Sequence, residues 1–495
     1  MDVLMERSIH FRHFVAAPHA PANPLPSTMQ VLEVPGYFVA VHEAARKALA
    51  SHGGSWAVVV GTAVHDGVET DLEGLAERLL EAADPLEETA HWCGAFAAMR
   101  CAADGAWVYH DAGATHKVFY RTLDQGGLCC GSDPLLLGYW QPLSPLENVE
   151  ERAFQESHWL RRRNTRQGDR TWFEGVLQLL PNHSLDLKSA EAVRTFPRRP
   201  RVELSMEEVV REVAARMQFV MGQWLANRNV QVGMSAGWDS RIVLAACRPG
   251  KDRLHTYSTL IPGLSANHPD LAVPERMARD LGFAHRVIHP CQTMPEGMAD
   301  VLDGTFDRWH NGWILPRLGW FKTFDPDVLA ITGVISEVAK NFLEQAPIDT
   351  PLHATRAVHF AEHPWMMTYY QKWLDEDARH VSAMGYAPRD FMHWEQDACN
   401  VAGASIHAFN FVVDSVTPFS SHHILSTLLA SPPALRDKHN SPLYKALVEY
   451  MWPELMQYPV NPMLRDRAIS WSKKLGIYGP YKYLHSRYKR RAFKG

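Results

Sequence analysis

The chain has 495 residues, 46% of them hydrophobic, and its formal net charge at pH 7 is -5. This is the composition of a globular protein of two or three domains. It argues against a chain that binds nucleic acid over its whole surface, and no apolar run reaches the about 18 residues of a membrane-spanning helix. Seven cysteines without a Cys-x-x-Cys pair do not indicate a zinc site, and with no signal-peptide core at the N-terminus they favour a cytoplasmic protein.

Residues 1–200 show a pattern of strands, turns and a few helices. A glycine-bounded apolar run at residues 56–61 predicts a buried strand, and residues 72–83 have helical spacing. Two apolar runs around an Asp-Gly turn predict a hairpin over residues 94–110. A Ser-Asp pair that can cap a helix precedes residues 135–140. We therefore predict an α+β domain of antiparallel strands.

A second domain is predicted over residues 205–470. Ser205 begins a long helix with two acidic residues in its first turn, as the helix dipole favours. Strands and helices then alternate, with strands at residues 230–234, 254–259 and 285–289 and helices at residues 241–247 and 270–281. This is the βαβ order of a parallel sheet. After residue 304 the pattern is mainly helical, so we expect an α/β domain with a mainly helical C-terminal lobe.

The chain ends in a basic tail over residues 471–495, which contains eight Lys or Arg and no Asp or Glu. Such a tail can bind RNA, anionic lipid or a phosphorylated ligand. A solvated terminal helix is the simpler interpretation, so nucleic acid is not expected as a partner.

Residues 232–240 lie between the first strand of the parallel sheet and the helix that follows it. Small residues there let backbone N–H groups face an anion, and the new helix adds unpaired N–H groups and a positive dipole end. Ser235 and Ser240 can donate hydrogen bonds to phosphate oxygens. Asp239 suits Mg²⁺ bridging those phosphates. The Gly-Lys-Ser/Thr ending of a Walker loop is missing, and we predict a pyrophosphate-binding loop for ATP.

This loop resembles the Ser-Gly-Gly-x-Asp-Ser loop of the asparagine synthetase family, whose members use ATP to adenylate a carboxylate. Ala236 replaces the first Gly and keeps the position small. The resemblance continues at Asp270 and at His285, and Ser258 fits the place of a Ser that faces the nucleotide. It implies an ATP-binding set of Met234, Ser235, Ala236, Gly237, Asp239, Ser240, Ser258 and Gly333.

Residues 331–340 are similar to the family's Ser-Gly-Glu-Gly-x-Asp-Glu segment, which closes over the nucleotide. Gly333 matches the first Gly, and Glu337 takes the Asp position, which makes Asp239 and Glu337 the implied metal ligands. The neighbouring Glu is replaced by Val338. Lys340 is either a contact to pyrophosphate that compensates for this loss or a solvated surface lysine.

The helical lobe departs from the family at its Lys-x-x-x-Arg-x-Ala spacing, where Asn440 and Tyr444 replace the two basic residues. The family's Lys would stabilise the leaving pyrophosphate or the acyl transfer. Lys438 and Lys445 both lie close enough in sequence to substitute. We place Lys445 with Glu337 and Lys340 as candidate catalytic residues. In the segment at residues 417–421, Ser421 replaces the family's Asp.

Residues 111–120 and 131–136 resemble the end of the family's glutaminase domain, in which an N-terminal Cys is the nucleophile and its own α-amine is the base. Here the chain begins Met-Asp-Val and the first cysteine is Cys93. We therefore expect a degenerate glutaminase-like sandwich over residues 1–200 that does not hydrolyse glutamine and serves as scaffold or substrate surface.

One pair of histidines and one pair of tryptophans can each be interpreted either as functional residues or as packing residues. His422 and His423 could bind a metal or act as a base, but adjacent side chains diverge on a helix, so packing is favoured. Trp309 and Trp313, spaced i and i+4, could line an acceptor pocket, although a core stripe is the simpler interpretation.

Together these features predict an ATP-dependent amide synthetase of a biosynthetic pathway, akin to β-lactam synthetases and lasso-peptide cyclases. A small-molecule or peptide carboxylate would be adenylated with release of pyrophosphate, and an amine would then displace AMP. ATP and Mg²⁺ are the implied cofactors, and a homodimer stays open. Two alternatives are a catalytically degenerate nucleotide-binding protein and an RNA-modifying pyrophosphate-loop enzyme, although the latter usually needs paired cysteines or a thiol carrier.

Overall fold

The computed structural model of the chain describes most of its length. The described residues are 8–156, 166, 168–261, 265, 267–289, 291, 293–294, 296–307, 327–344, 346–358, 362–438 and 441–462. The predictions for Trp309, Trp313, Asn440 and the basic tail lie outside them.

Two antiparallel sheets of six strands each occupy the first half of the chain. Their strands are β1 (Phe14–Ala17), β2 (Met29–Val34), β3 (Tyr37–His42), β4 (Lys47–His52), β5 (Ser55–His65), β6 (Trp92–Ala102), β7 (Gly105–His110), β8 (Phe119–Thr122), β9 (Leu128–Gly131), β10 (Leu177–Gln178), β11 (His183–Asp186) and β12 (Glu191–Arg194). The strand orders are β10-β8-β9-β1-β3-β2 and β12-β11-β7-β6-β5-β4. The helices of this half are α1 (Leu72–Glu81), α2 (Pro85–Ala90), α3 (Pro134–Leu137) and α4 (Val149–Gln155).

The two sheets pack face to face and carry helices on their outer faces. Phe14 and Val39 of one sheet share a core with Val58 and Val108 of the other. The outer face of the second sheet packs on α1 through residues such as Leu75, and α3 packs on the outer face of the first sheet. The result is an α+β sandwich of four layers, as predicted in outline.

The second half is built on a parallel sheet of five strands in the order β15-β14-β13-β16-β17. Its strands are β13 (Asn229–Gly233), β14 (His255–Thr259), β15 (Ala284–Ile288), β16 (Val328–Ile331) and β17 (Asp414–Val416), and the helices around them are α5 (Met206–Asn227), α6 (Trp238–Ala246), α7 (Pro269–Leu281) and α8 (Met298–Thr305). The chain runs outward from β13 to β15, then returns to place β16 on the other side of β13. This reversal leaves a crevice at the carboxyl ends of β13 and β16, which is where open α/β sheets bind ligands.

A helical lobe follows β16 and surrounds β17. Its α-helices are α9 (Pro351–Ala357), α10 (Pro364–Trp373), α11 (Arg379–Ala383), α12 (Pro388–Met392), α13 (Ala404–Asn410), α14 (His422–Leu429) and α15 (Pro442–Met451). Short 3-10 helices cover residues 336–340, 433–436 and 453–457, and π-helical turns join α10 to α11 and α12 to α13. Among the described residues no helix combines the length and the hydropathy needed to cross a bilayer.

Local sequence signals located several of the elements. Ser205 caps α5 with a full capping box to Glu208, and Asp133 caps α3 as expected. The helix predicted over residues 135–140 is shorter, because α3 ends at Leu137. The helix after the loop begins at Trp238 rather than at residue 241, and neither β16 nor β17 was predicted. Both are short buried runs, which periodicity does not distinguish from helix.

Candidate active site

A cleft of about 420 Å³ opens at the carboxyl ends of β13 and β16. One wall comes from the loop after β13 and the first turn of α6, and the other comes from the segment after β16. The lining residues are Gly233, Met234, Ser235, Asp239, Ser240, Gly333, Val334, Glu337, Lys340 and Phe342. Two segments about a hundred residues apart in sequence therefore face each other because β16 pairs with β13.

The loop after β13 is shaped by hydrogen bonds among its own small polar residues. The Ser235 N–H donates to Ser240 Oγ over 3.1 Å, and the two hydroxyl oxygens lie 3.1 Å apart. The Gly237 N–H donates to Ser235 Oγ over 3.2 Å. The carboxylate of Asp270, in the first turn of α7, accepts the Ala236 N–H over 2.8 Å. These contacts hold both hydroxyl groups at the cleft wall, where they can reach a bound anion.

The first turn of α6 points its amino end into the same cleft. Gly237 occupies the N-cap position and has no side chain that could cap the helix, so the partial positive charge of this helix end faces the cleft. Gly333 packs directly against this turn: a Cβ at Gly333 would lie 2.5 Å from the Asp239 carbonyl carbon and 2.7 Å from Ser240 N. Only glycine permits so close an approach.

The segment after β16 brings charged groups to the opposite wall. Lys340 Nζ forms an ion pair with the Asp239 carboxylate, and the Ser336 hydroxyl donates to the same carboxylate. Tyr444, buried on α15, donates its hydroxyl hydrogen bond to the Ser336 carbonyl, and its ring centroid lies 5.4 Å from Lys340 Nζ. Asp239 is therefore held from the wall that faces it.

Ile335 has φ of 73°, a left-handed conformation that a β-branched residue rarely adopts. In the motif that residues 331–340 resemble, this position is the second Gly. Ile335 is fully buried, so packing holds the turn that glycine would adopt without strain. The packing of Ile335 therefore offsets the strain of this turn.

Glu337 is the second carboxylate at the cleft. Burial raises the pKa of Glu337, and the negative charge of Asp239 raises it further, while His393 and Lys340 oppose the shift. The two carboxylates repel each other, and a bound cation would reduce this repulsion.

The structure brings most of the predicted site residues together. Met234, Ser235, Asp239, Ser240, Gly333, Glu337 and Lys340 all line the cleft. Lys340 is not a solvated surface lysine, because it is 9% exposed and paired with Asp239. Gly237 lies beside the cleft as the N-cap of α6.

Three predicted residues are placed otherwise. Ser258 does not face the cleft: it is buried, and its hydroxyl donates to the Met234 carbonyl over 2.9 Å. Ala236 is also buried and contributes only its backbone to the loop. Lys445 is exposed on α15, while its neighbour Tyr444 points to the cleft wall. Adjacent side chains on a helix diverge by about 100°, so both cannot reach the cleft.

Sequence reasoning did not single out as site residues three residues at or beneath the cleft wall that follows β16. Val334 and Phe342 line the cleft, and the Phe342 ring stacks on His393 with centroids 4.1 Å apart. Tyr444 stands at the position where the family has Arg, and that register was the one available signal for its importance. Ser421, where the family has Asp, caps α14 and donates to the Ala90 carbonyl over 3.1 Å, so it lies outside the cleft.

This geometry defines a polar cleft, lined by hydroxyl, carboxylate and ammonium groups, in an α/β half that follows an α+β half. No known protein family matches the chain by sequence, and no curated protein does.

Among solved structures, the chain is similar to the U34-tRNA thiolase NcsA from Methanococcus maripaludis with its 4Fe–4S cluster, at 13% identity and a TM-score of 0.22 over 56% of this chain and 79% of that one. It is similar to glutamine phosphoribosylpyrophosphate amidotransferase from B. subtilis complexed with ADP and GMP, at 10% identity and a TM-score of 0.23 over 66% of this chain and 70% of that one. A third similar structure is an allosteric regulatory enzyme of purine biosynthesis, at 8% identity and a TM-score of 0.24 over 74% of each chain. Similarity at this level does not assign a family.

Proposed function

We propose that the cleft binds ATP and that the protein is an ATP-dependent amide synthetase, which adenylates a substrate carboxylate for attack by an amine. The observation that carries the proposal is the pairing of the serine loop at the α6 amino end with Gly333, Glu337 and Lys340 across one cleft. Such a cleft offers hydroxyl donors, a helix dipole and a cation to a polyphosphate. Its place at the reversal of strand order is the usual position for a nucleotide in an open α/β sheet.

The residues divide the work by their chemistry. Ser235 and Ser240 donate hydrogen bonds to phosphate oxygens, and the amino end of α6 stabilises their charge. The substrate carboxylate attacks the α-phosphorus, the bond to the β-phosphate oxygen breaks, and pyrophosphate leaves with the bonding electrons. Lys340 moves from Asp239 to the departing pyrophosphate and neutralises its charge. An amine then attacks the acyl carbon, the bond between that carbon and the AMP oxygen breaks, AMP leaves with the bonding electrons, and the proton of the amine passes to solvent.

The donor set fits a Mg²⁺ ion that accompanies the nucleotide. Asp239 and Glu337 are hard oxygen donors on one cleft. Burial raises the pKa of Glu337, and the negative charge of Asp239 raises it further. Asp239 and Glu337 would hold the ion. When bound, the ion neutralises phosphate charge that the protein's own donors leave uncompensated.

The first half serves as scaffold in this proposal, with residues 1–200 and 205–470 as the two units. The segment that resembles the end of a glutaminase domain is buried against the second half: the Trp394 indole N–H donates to the Ala112 carbonyl over 2.6 Å, and the Gly113 N–H donates to Ser420 Oγ over 2.8 Å. The amine in this proposal is free ammonia or an amine carried by a substrate.

ATP–pyrophosphate exchange with a panel of small and peptidic carboxylic acids tests the proposal. At least one acid should support exchange, and Asp239→Asn should lower that rate by about 100-fold because the cleft loses one of its two carboxylates. Asp252→Asn, an exposed aspartate in the short helix at residues 248–253, is the matched control and should leave the rate unchanged. Bound ATP without exchange for any acid would identify a nucleotide-binding protein without this chemistry. Exchange that Asp239→Asn leaves intact would refute the assigned site.

A further inference from the structure

A second polar cluster lies away from the cleft, where the antiparallel half meets the helical lobe. Asp66 follows the end of β5, His91 precedes β6, and His423 lies in the first turn of α14. Among the described residues these three form the one group of at least three potential metal ligands, with one ligand atom from each within 4.8 Å of the others.

The ligand atoms converge on one point. His91 Nδ1 lies 2.9 Å from Asp66 Oδ1 and 2.8 Å from His423 Nδ1. His423 Nδ1 lies 3.3 Å from Asp66 Oδ2. That carboxylate oxygen is buried, and within the described part of the chain it makes no hydrogen bond of good geometry.

Protons alone satisfy this arrangement only with strained hydrogen bonds. A ring nitrogen carries either one proton or one lone pair, so a single N–H at His91 Nδ1 would have to be shared between its two short contacts. If both nitrogens donate to Asp66, their two N–H groups face each other at 2.8 Å. A cation between the three atoms removes the conflict, because all three then present lone pairs.

We propose that Asp66, His91 and His423 form a binding site for a zinc ion, which joins the antiparallel half to α14. Two imidazole nitrogens and one carboxylate oxygen are a ligand set that zinc accepts, with water in the fourth position. Two nitrogens on one tetrahedral zinc are about 3.3 Å apart, so the rings need to separate by only about 0.5 Å. The oxygen-preferring cations Mg²⁺ and Ca²⁺ do not suit a pair of imidazoles.

The surroundings hold the ligands in place. The Asp66 N–H donates to the His91 carbonyl over 2.9 Å, and Arg216 Nη1 donates to Asp66 Oδ1 over 3.2 Å, which leaves Oδ2 for the ion. Glu87 Oε1 lies 4.0 Å from His91 Nε2, beyond hydrogen-bond distance, so Glu87 contributes only its negative charge to this cluster. The histidine side chains are each 25% exposed, whereas that of Asp66 is fully buried, so an ion has a path from solvent and water can complete its shell.

Zinc titration of the full-length, chelator-stripped chain by calorimetry tests this site independently of any nucleotide. The wild-type chain should bind one zinc per chain, and zinc should raise its melting temperature. His91→Gln and His423→Gln should each weaken binding by at least about 100-fold, more than the loss of an outer partner costs. His52→Gln, an exposed histidine on β4, is the matched control and should bind as the wild type does.

Circular dichroism without metal shows whether each variant folds, and Asp66→Asn, which keeps the side-chain size, replaces any variant that does not. Co²⁺ should give the intense visible absorption of a tetrahedral site in the wild-type chain and lose it in His423→Gln. No saturable zinc binding to the wild-type chain would show that the cluster is held by protons only. Equal zinc binding by the wild-type, His91→Gln and His423→Gln chains would also overturn the proposal.

Discussion

The buried cluster around Asp111 and the cleft around Asp239 each contain a central aspartate, but the two side chains differ in burial and in the number of groups that bind them. Asp111 is 1% exposed, and six donors converge on its two oxygens: Thr115 contributes its N–H and hydroxyl, and the backbone N–H groups of Phe96, Gly113 and His116 and the Ser420 hydroxyl supply the rest. The Asp239 side chain is 35% exposed and is held by Lys340 and Ser336 at the edge of an open cleft.

This difference distinguishes a carboxylate that stabilises the fold from one that can bind a ligand. A carboxylate whose lone pairs are all used inside the protein stabilises the fold and has none left for a ligand. A partly exposed carboxylate paired with a movable lysine can exchange that partner for a ligand. In the proposed function, the antiparallel half supports the fold through its contacts with the helical lobe, and the cleft of the parallel half binds the reactants. Each prediction below tests one side of this contrast.

Asp111→Ala should have the largest effect, a loss of about 4 kcal/mol in the free energy of unfolding, because it leaves several buried donors without an acceptor. Chemical denaturation measures it. Asp104→Ala is the matched control: this exposed aspartate pairs with Arg100 at a hairpin turn, and its removal should cost less than about 1 kcal/mol. Equal losses in the two variants would end the structural interpretation of the Asp111 cluster.

Lys340→Met should lower the rate of ATP–pyrophosphate exchange by about 100-fold, because the cleft loses the cation that neutralises the leaving group. Lys445→Met removes an exposed lysine from α15 and should leave exchange unchanged. Both variants replace a lysine with methionine, so the difference between their initial rates measures the effect of the position of the lysine. A larger loss of rate in Lys445→Met than in Lys340→Met would support the sequence-based prediction that Lys445 is catalytic.

Gly333→Ala should weaken ATP binding by about tenfold, because the added Cβ would press on the backbone of Asp239 and Ser240. Calorimetry with ATP measures the affinity. Gly222→Ala is the control, since nothing lies within 4 Å of a Cβ at that helical position, and it should bind ATP as the wild type does. Undiminished affinity in Gly333→Ala would mean that the two cleft walls do not act together.

The smallest effect is expected at His422, which packs between Phe196 and Trp394. Burial lowers the pKa of His422 to about 4. The unfolded chain gains a proton there below about pH 6.5 and the native state does not. The stability contribution is therefore complete above pH 6.5 and is lost as the pH falls toward 4, reaching about 1 kcal/mol of loss at pH 5.5.

His422→Phe keeps the packing and removes the titrating group. Urea denaturation at pH 7.5 and pH 5.5 should show a stability decrease on acidification that is about 1 kcal/mol smaller in the variant than in the wild type. Identical decreases would mean that burial does not lower the pKa of His422 in the native state.

The sequence alone determined what is local in the chain. The capping box at Ser205, the strand before the loop, and Ser235, Asp239 and Ser240 as one wall of the cleft follow from spacing and residue type, because a strand, a turn and a helix start are contiguous. The motif at residues 331–340 added Gly333 and Glu337 by resemblance.

The tertiary structure decided everything that depends on which faces are buried together. It placed β16 beside β13, so that Lys340 meets Asp239. It also turned Ser258 inward and Lys445 outward. His422 and His423 diverge as a helix requires, one into an aromatic core and the other toward Asp66 in the opposite half of the chain. Periodicity reports that a residue is buried but not against what, and packing between distant segments supplies that information.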